Sequence, residues 1–150
     1  MLAVGFIAAL PYSRALNFSF FNDDPTGHFA WMESRSFLDF FNNSAEYGYY
    51  RPIVFVILQG LVHLFSYNTV PFHALLLLLH GANTAMLWLF AYRLGKNQAY
   101  AWAAALLFVT VPFLYEAVAY VASLTHPLLL FWLLLTILLY QNGRMAAIGN

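Results

Sequence analysis

Two adjacent carboxylates, Asp23 and Asp24, follow the first apolar stretch of this 150-residue chain, with Asn22 before them and Pro25 after. Proline disfavours helix at the residue it follows, so the pair reads as a turn. Two acids this close can differ in pKa, one ionised to take a proton from a hydroxyl or bind a divalent cation, the other held by its neighbours. The same residues also suit an Asx turn in a solvated loop. His28 lies just beyond, where it could assist Asp24. Glu116 is the only acid after Glu46 and lies in a long apolar stretch past Pro112. A carboxylate there is costly unless it faces water or a partner, which makes it a functional candidate, with a surface glutamate on a short loop helix as the alternative. Arg51, in the run Tyr49, Tyr50, Arg51, Pro52, sets a fixed cation beside two phenols. That suits the phosphate of a lipid head group, although aromatic residues with arginine also anchor membrane interfaces without any ligand.

His73 and His80 are about two helical turns apart on one face, and Asn83 continues the stripe. Neutral imidazole is a good axial ligand, which raises haem or pigment binding. A bis-histidine haem needs a second helix offering a histidine at matching depth, and neither His63 nor His126 repeats the spacing. Hydrogen bonding between helices is the favoured role. Ala99, Ala101, Ala103, Ala104 and Ala105 predict close helix packing. The absence of cysteine removes disulfides, thiolate catalysis and Cys-ligated metals together.

The elements that must position these groups belong in a bilayer. The chain is 63% hydrophobic and only 8% charged, against about a quarter charged in soluble domains. Six basic residues balance six acidic ones, so the electrostatic attraction that nucleic-acid binding needs has no source. Residues 1–16 form a first, short apolar segment that Pro11 and Arg14 interrupt. No Lys or Arg precedes Arg14 and no cleavage site stands out, so the segment is expected to stay in the membrane rather than act as a secretory signal. Residues 17–70 hold five of the six acids and read as an outer loop with interfacial helices. Phe29, Met32, Phe37, Phe40 and Phe41 recur at amphipathic spacing within it. Pro52 to Ser66 is apolar but short and carries Gln59 and His63, which favours an interfacial helix over a span.

Residues 71–92, 98–111 and 127–142 are the remaining expected spans, at about 20 residues per crossing. Arg93 and Lys96 lie between the first two and Arg144 follows the third. The positive-inside rule puts these on the cytoplasmic side and residues 112–125 outside, with the acidic loop. The expected architecture is an all-α polytopic membrane bundle, one domain of about four transmembrane helices plus juxtamembrane helices, in a bacterial inner membrane.

The order of these features resembles the GT-C superfamily of polytopic membrane glycosyltransferases, especially its protein O-mannosyltransferase-like and tetratricopeptide-linked branch. The likeness covers Phe20 to Tyr140. It rests on the acidic pair after the first span (Asn22, Asp23, Asp24, Pro25) and on Tyr50, Arg51 and Pro52 opening a juxtamembrane helix. It rests also on Phe72, His73, His80 and Asn83 in a span ending at Tyr92, Arg93 and Leu94, and on Ala103 to Pro112 running into Glu116, Ala117, Val118, Ala119 and Tyr120. Where relatives carry a basic residue and an acid, this chain has Thr125, His126 and Pro127. The resemblance implies transfer of a sugar from a polyprenyl-phosphate donor to an acceptor hydroxyl on the extracytoplasmic face, with inversion. It assigns Asp23 or Asp24 as general base, Glu116 as a second acid and Arg51 to the lipid phosphate, with Tyr50 and His28 beside the substrate. Members run to several hundred residues, so the chain is expected to be the N-terminal portion of a transferase. The other expectation is a short relative serving as a non-catalytic subunit among other membrane chains.

Overall fold

The computed structural model describes residues 2–20, 24–42, 48–111 and 114–148, and all regular structure among them is helical. Helix α1 (Leu2–Ala9) gives way at Leu10 to a tighter 3-10 stretch, Leu10–Asn17, because Pro11 has no N–H to continue the ladder. A wide helical turn, Asp24–Phe29, runs into α2 (Ala30–Glu33), and α3 (Asp39–Asn42) follows. Then come α4 (Pro52–Phe65), α5 (Thr69–Gly95), α6 (Gln98–Thr110), α7 (Leu114–Ala119), a 3-10 turn Val121–Leu124, and α8 (Thr125–Ile148).

Two stretches, Thr69–Gly95 and Val121–Gly143, are long and apolar enough to cross a membrane. At 1.5 Å per residue α5 measures about 40 Å, more than the ~30 Å of hydrocarbon. Helices α4 and α6, at 14 and 13 residues, fall short of a full crossing. The observed α6 thus matches the expected 98–111 segment to within one residue, but is too short to count as a full crossing.

Local chemistry sets the ends of α5. Asn68 caps its start by accepting from Val70 N–H at 3.1 Å. Its far end closes on Lys96, which adopts the left-handed conformation (φ 50°) and donates its N–H to Tyr92 O at 2.7 Å. Asn97 then caps α6 through Ala99 N–H at 2.8 Å, so two residues suffice to reverse the chain.

Between helices in lipid there is no hydrophobic driving force, so packing and hydrogen bonds decide the fit. Gly5 of α1 and Gly81 of α5 meet backbone to backbone; a Cβ on either would lie 2.8 Å from the other's carbonyl oxygen. Tyr12 donates to Val109 O at 2.6 Å, tying the N-terminal segment to α6. Asn83 Nδ2 donates to Pro127 O at 2.8 Å and Arg93 Nη1 to Leu138 O at 3.1 Å, fastening α8 to α5 at its start and at its middle.

A second core caps the N-terminal end of α5. Phe29, Met32, Phe40, Phe55, Leu58 and Phe72 are buried together, with Val121 and Leu124 beneath them. The ring pairs are close, Trp31–Phe55 at 4.7 Å and Phe20–Phe29 at 4.8 Å. Helix α4 packs along this loop unit. Its first end lies by His28, its middle holds Arg35 O through Gln59 Nε2 at 3.2 Å, and the turn after it meets Glu33 through Tyr67.

One sequence expectation needs correction. Residues 29–41 do not form one amphipathic helix. Asp39 Oδ2 accepts from both Ser36 N–H (2.8 Å) and Ser36 Oγ (2.7 Å), a local pairing that competes with helix and separates α2 from α3. Phe29, Met32 and Phe40 go inward while Phe37 and Phe41 stay exposed. In the connection from α6 to α8, Val118 through Leu124, apart from the half-buried Tyr120, is buried in the bundle.

Candidate functional site

The buried connection is held by polar side chains from two distant parts of the chain. His73, fully buried on α5, places Nε2 3.1 Å from Ala119 O and Nδ1 3.0 Å from Thr69 O. Asp24, 1% exposed, accepts from Ala122 N–H through Oδ1 at 2.7 Å. A charge-assisted bond of this kind contributes about 1.5–3 kcal/mol, because the backbone N–H has no helical partner to turn to. Ser123 Oγ completes the turn by donating to Tyr120 O at 2.7 Å.

Above this floor lies an open cavity of about 430 Å³ lined by His28, Tyr49, Arg51, Glu116, Tyr120 and His126, with Ala122 and Ser123 at its base. Three groups singled out in the sequence, His28, Arg51 and Glu116, therefore face one space although they come from the first loop, the start of α4 and α7. His28 is 3% exposed, its ring 5.9 Å from that of Phe55. The Arg51 guanidinium lies 4.5 Å from the centre of the Tyr49 ring, a cation–π arrangement that orients it without neutralising it.

Asp24 does not reach solvent. It serves the cavity from below, through the amide of a residue that lines it, rather than from a solvated turn. Asp23 lies outside the described residues, as do Glu46 and Pro112. Tyr50 is turned away from the cavity. It is 65% exposed and lines an adjoining groove of about 320 Å³ with Pro52, Ile53, Leu128, Leu129 and Trp132. Arg51 borders both spaces.

Sequence reasoning missed Ser123; it noted Tyr49 only as one of two phenols beside Arg51, Tyr120 only as the end of a motif, and His126 only as an unsuitable haem ligand and a departure from a pattern. A Tyr-Tyr-Arg run marks aromatic partners for an arginine, but which phenol stacks depends on the turn before α4. His126 opens α8, a position visible from Pro127 as a first-turn proline.

No group of three or more His, Asp or Glu side chains among the described residues is arranged to hold a metal ion. As for haem, both ring nitrogens of His73 face backbone carbonyls. His80 is packed between Tyr12 (centroids 4.8 Å apart, edge-on) and Phe108 (5.3 Å, stacked). No protein family, curated protein or solved structure matches this chain.

Proposed function

We propose that this chain carries the donor-phosphate and proton-accepting part of a membrane glycosyltransferase that uses a polyprenyl-phosphate sugar. The observation behind this reading is the place of Arg51. On one side is a polar cavity with Glu116 and His28, on the other an apolar groove between α4 and α8. A polyprenyl phosphate has an anionic head joined to a hydrocarbon tail, and a cation at the seam of a polar and an apolar space fits both parts.

In this mechanism the acceptor hydroxyl attacks the anomeric carbon from the face opposite the phosphate. The bond from that carbon to the phosphate oxygen breaks, and its electron pair stays on the phosphate. Arg51 stabilises the charge that develops there, and a carboxylate takes the hydroxyl proton. Glu116, which opens into the cavity, is assigned the proton. Asp24 is assigned a positioning role through Ala122, and Asp23 remains a candidate base beside it.

The same reading orients the chain. The cavity lies at the N-terminal end of α5, with Arg93 and Lys96 at the other end, and the positive-inside rule puts the basic end in the cytoplasm. The cavity then faces the extracytoplasmic side, and α4 lies along the interface.

The test is binding of a polyprenyl phosphate to the full chain in lipid nanodiscs, with the matching uncharged polyprenol as control. Wild type is expected to prefer the phosphate at least tenfold, about 1.4 kcal/mol, and Arg51→Ala to lose that preference. Equal binding of phosphate and alcohol by wild type would overturn the reading.

A second reading, a subunit of a larger membrane assembly, draws on a different surface. Gly5, Phe6, Leu78, Ala82 and Met86 border an apolar groove of about 530 Å³ along α1 and α5, shaped for a neighbouring transmembrane helix. Co-purification of a stoichiometric membrane partner, with no phosphate preference, would favour it.

A further inference from the structure

Behind the open cavity lies a smaller chamber of about 100 Å³, lined by His80, Asn83, Phe108, Val118, His126 and Leu130. His126 borders both spaces, so it stands between the outer cavity and the chamber. The chamber walls are largely apolar, but two deeply buried polar atoms belong to its lining residues. His80 is 3% exposed and Asn83 1%, and among the described residues His80 Nε2 and Asn83 Oδ1 have no hydrogen-bond partner.

The packing around each atom is fixed. Asn83 donates Nδ2 to Pro127 O, which only accepts, so its amide orientation is set and Oδ1 is the oxygen left over. The His80 ring is clamped between Tyr12 and Phe108, and Tyr12 is itself tied to Val109 O. Burying such atoms without partners is unfavourable, and a small guest that hydrogen-bonds to both recovers the loss. A water molecule needs little room, which the chamber has, and two to four polar partners, for which His80 Nε2 and Asn83 Oδ1 are the unpartnered atoms of its lining residues.

We propose that the chamber is a binding site for ordered water, held by His80 Nε2 and Asn83 Oδ1 and filled from the outer cavity past His126. The site extends an aqueous branch about two helical turns along α5 from the level of His73. His80 is its innermost group and exchanges protons with the outer compartment despite its burial. Besides His80, the titratable groups facing this branch are Tyr12 packed against the His80 ring, His126 at the doorway, and His28, Tyr49, Tyr120, Glu116 and the Arg51 cation in the outer cavity. The proposal is independent of glycosyl transfer, since a hydrated branch serves any reading of the outer cavity.

The molecule contains its own control. His73 is on the same helix and equally buried, but both its nitrogens face backbone carbonyls rather than a cavity. The experiment is water-edited NMR on the full chain in lipid nanodiscs with ¹⁵N-labelled histidine, the five histidines being assigned by single substitution. Wild-type His80 is expected to receive magnetisation from water at least several-fold faster than His73. His126→Phe, which closes the doorway, is expected to slow transfer to His80 while leaving His73 unchanged. If His80 is as isolated from water as His73 in the wild type, the chamber is dry and the proposal is wrong. That comparison needs no variant, so a misfolded substitution cannot obscure it. Contact of His80 with lipid acyl protons instead of water would overturn it equally.

Discussion

Asp24 and Ala122, 98 positions apart, are joined by a 2.7 Å hydrogen bond from the Ala122 amide to the Asp24 carboxylate. The bond fixes the floor of the cavity to the first loop. Asp24→Ala leaves the Ala122 N–H unsatisfied and is expected to cost about 1–3 kcal/mol, whereas Asp24→Asn keeps an acceptor and costs less. Thermal unfolding of the purified protein, followed by near-ultraviolet circular dichroism, checks the order. Equal losses would mean that the carboxylate's charge, not its place under Ala122, is what matters.

Glu116→Gln keeps the shape of the side chain and removes its proton affinity. Sugar transfer is expected to fall by about 10²–10⁴-fold while binding of polyprenyl phosphate stays at the wild-type level, because Arg51 is untouched. Turnover measured alongside affinity separates the two. Loss of affinity with turnover unchanged would place Glu116 in binding instead.

Tyr67 donates its hydroxyl hydrogen bond to the Glu33 carboxylate, which holds the phenol in its neutral form. That bond, then burial and the nearby negative charge, pushes its pKa up from 10.0 to about 12. The raised value gives the sign. The stabilisation is fully present below pH 10 and is lost as pH rises through about 12. In an ultraviolet titration of the tyrosinates, Tyr67→Phe is expected to remove a late-titrating group. It should also flatten the dependence of stability on pH in that window. Tyr67 is 42% exposed, so solvent screens the effect on stability and the titration is the sharper measurement.

Gly81→Ala would set a methyl 2.8 Å from the Gly5 carbonyl oxygen, and backbone cannot swing aside as a side chain can. The expected cost is about 1–3 kcal/mol of overpacking. Gly60→Ala, in α4 with nothing within 4 Å of the added carbon, is the control. It is expected to be neutral or stabilising by up to about 1 kcal/mol, since alanine favours helix. Thermal midpoints of the pair check both directions.

The native chain has no cysteine, so single introduced thiols report sidedness directly. Ser34→Cys in the acidic loop and Gln98→Cys at the start of α6 both lie at exposed positions. With an impermeant maleimide, the first is expected to label from outside intact cells and the second only after the membrane is opened. Labelling of both from one side would reject the assigned orientation and the crossing by α5.

The helices were legible where one local signal dominated. The apolar run of α5 and the turn after Arg93 could be read along the chain, as could a proline-initiated helix after Arg51. Glu116 and Arg51 stood out because charge is scarce here, and the structure does bring them to one cavity. Asp24 was harder. Its partner is a backbone amide in a distant segment whose own sequence, Val-Ala-Ser-Leu, carries no sign of being buried. The same holds for residues 29–41, where phenylalanine spacing suggested one helix but the Ser36–Asp39 pairing broke it. Tyr49 and Tyr50 could not be told apart, since their roles depend on the rotation of the chain entering α4.

Because Asp24 must wait for Ala122, the ribosome makes nearly a hundred further residues before the acid meets its mate. The early loop is therefore made long before the segment that its carboxylate will hold. It is trapped only when the stretch between α6 and α8 folds back against it. Assembly of this bundle should thus finish near its middle, and a pause in synthesis after α6 would leave the cavity without its floor.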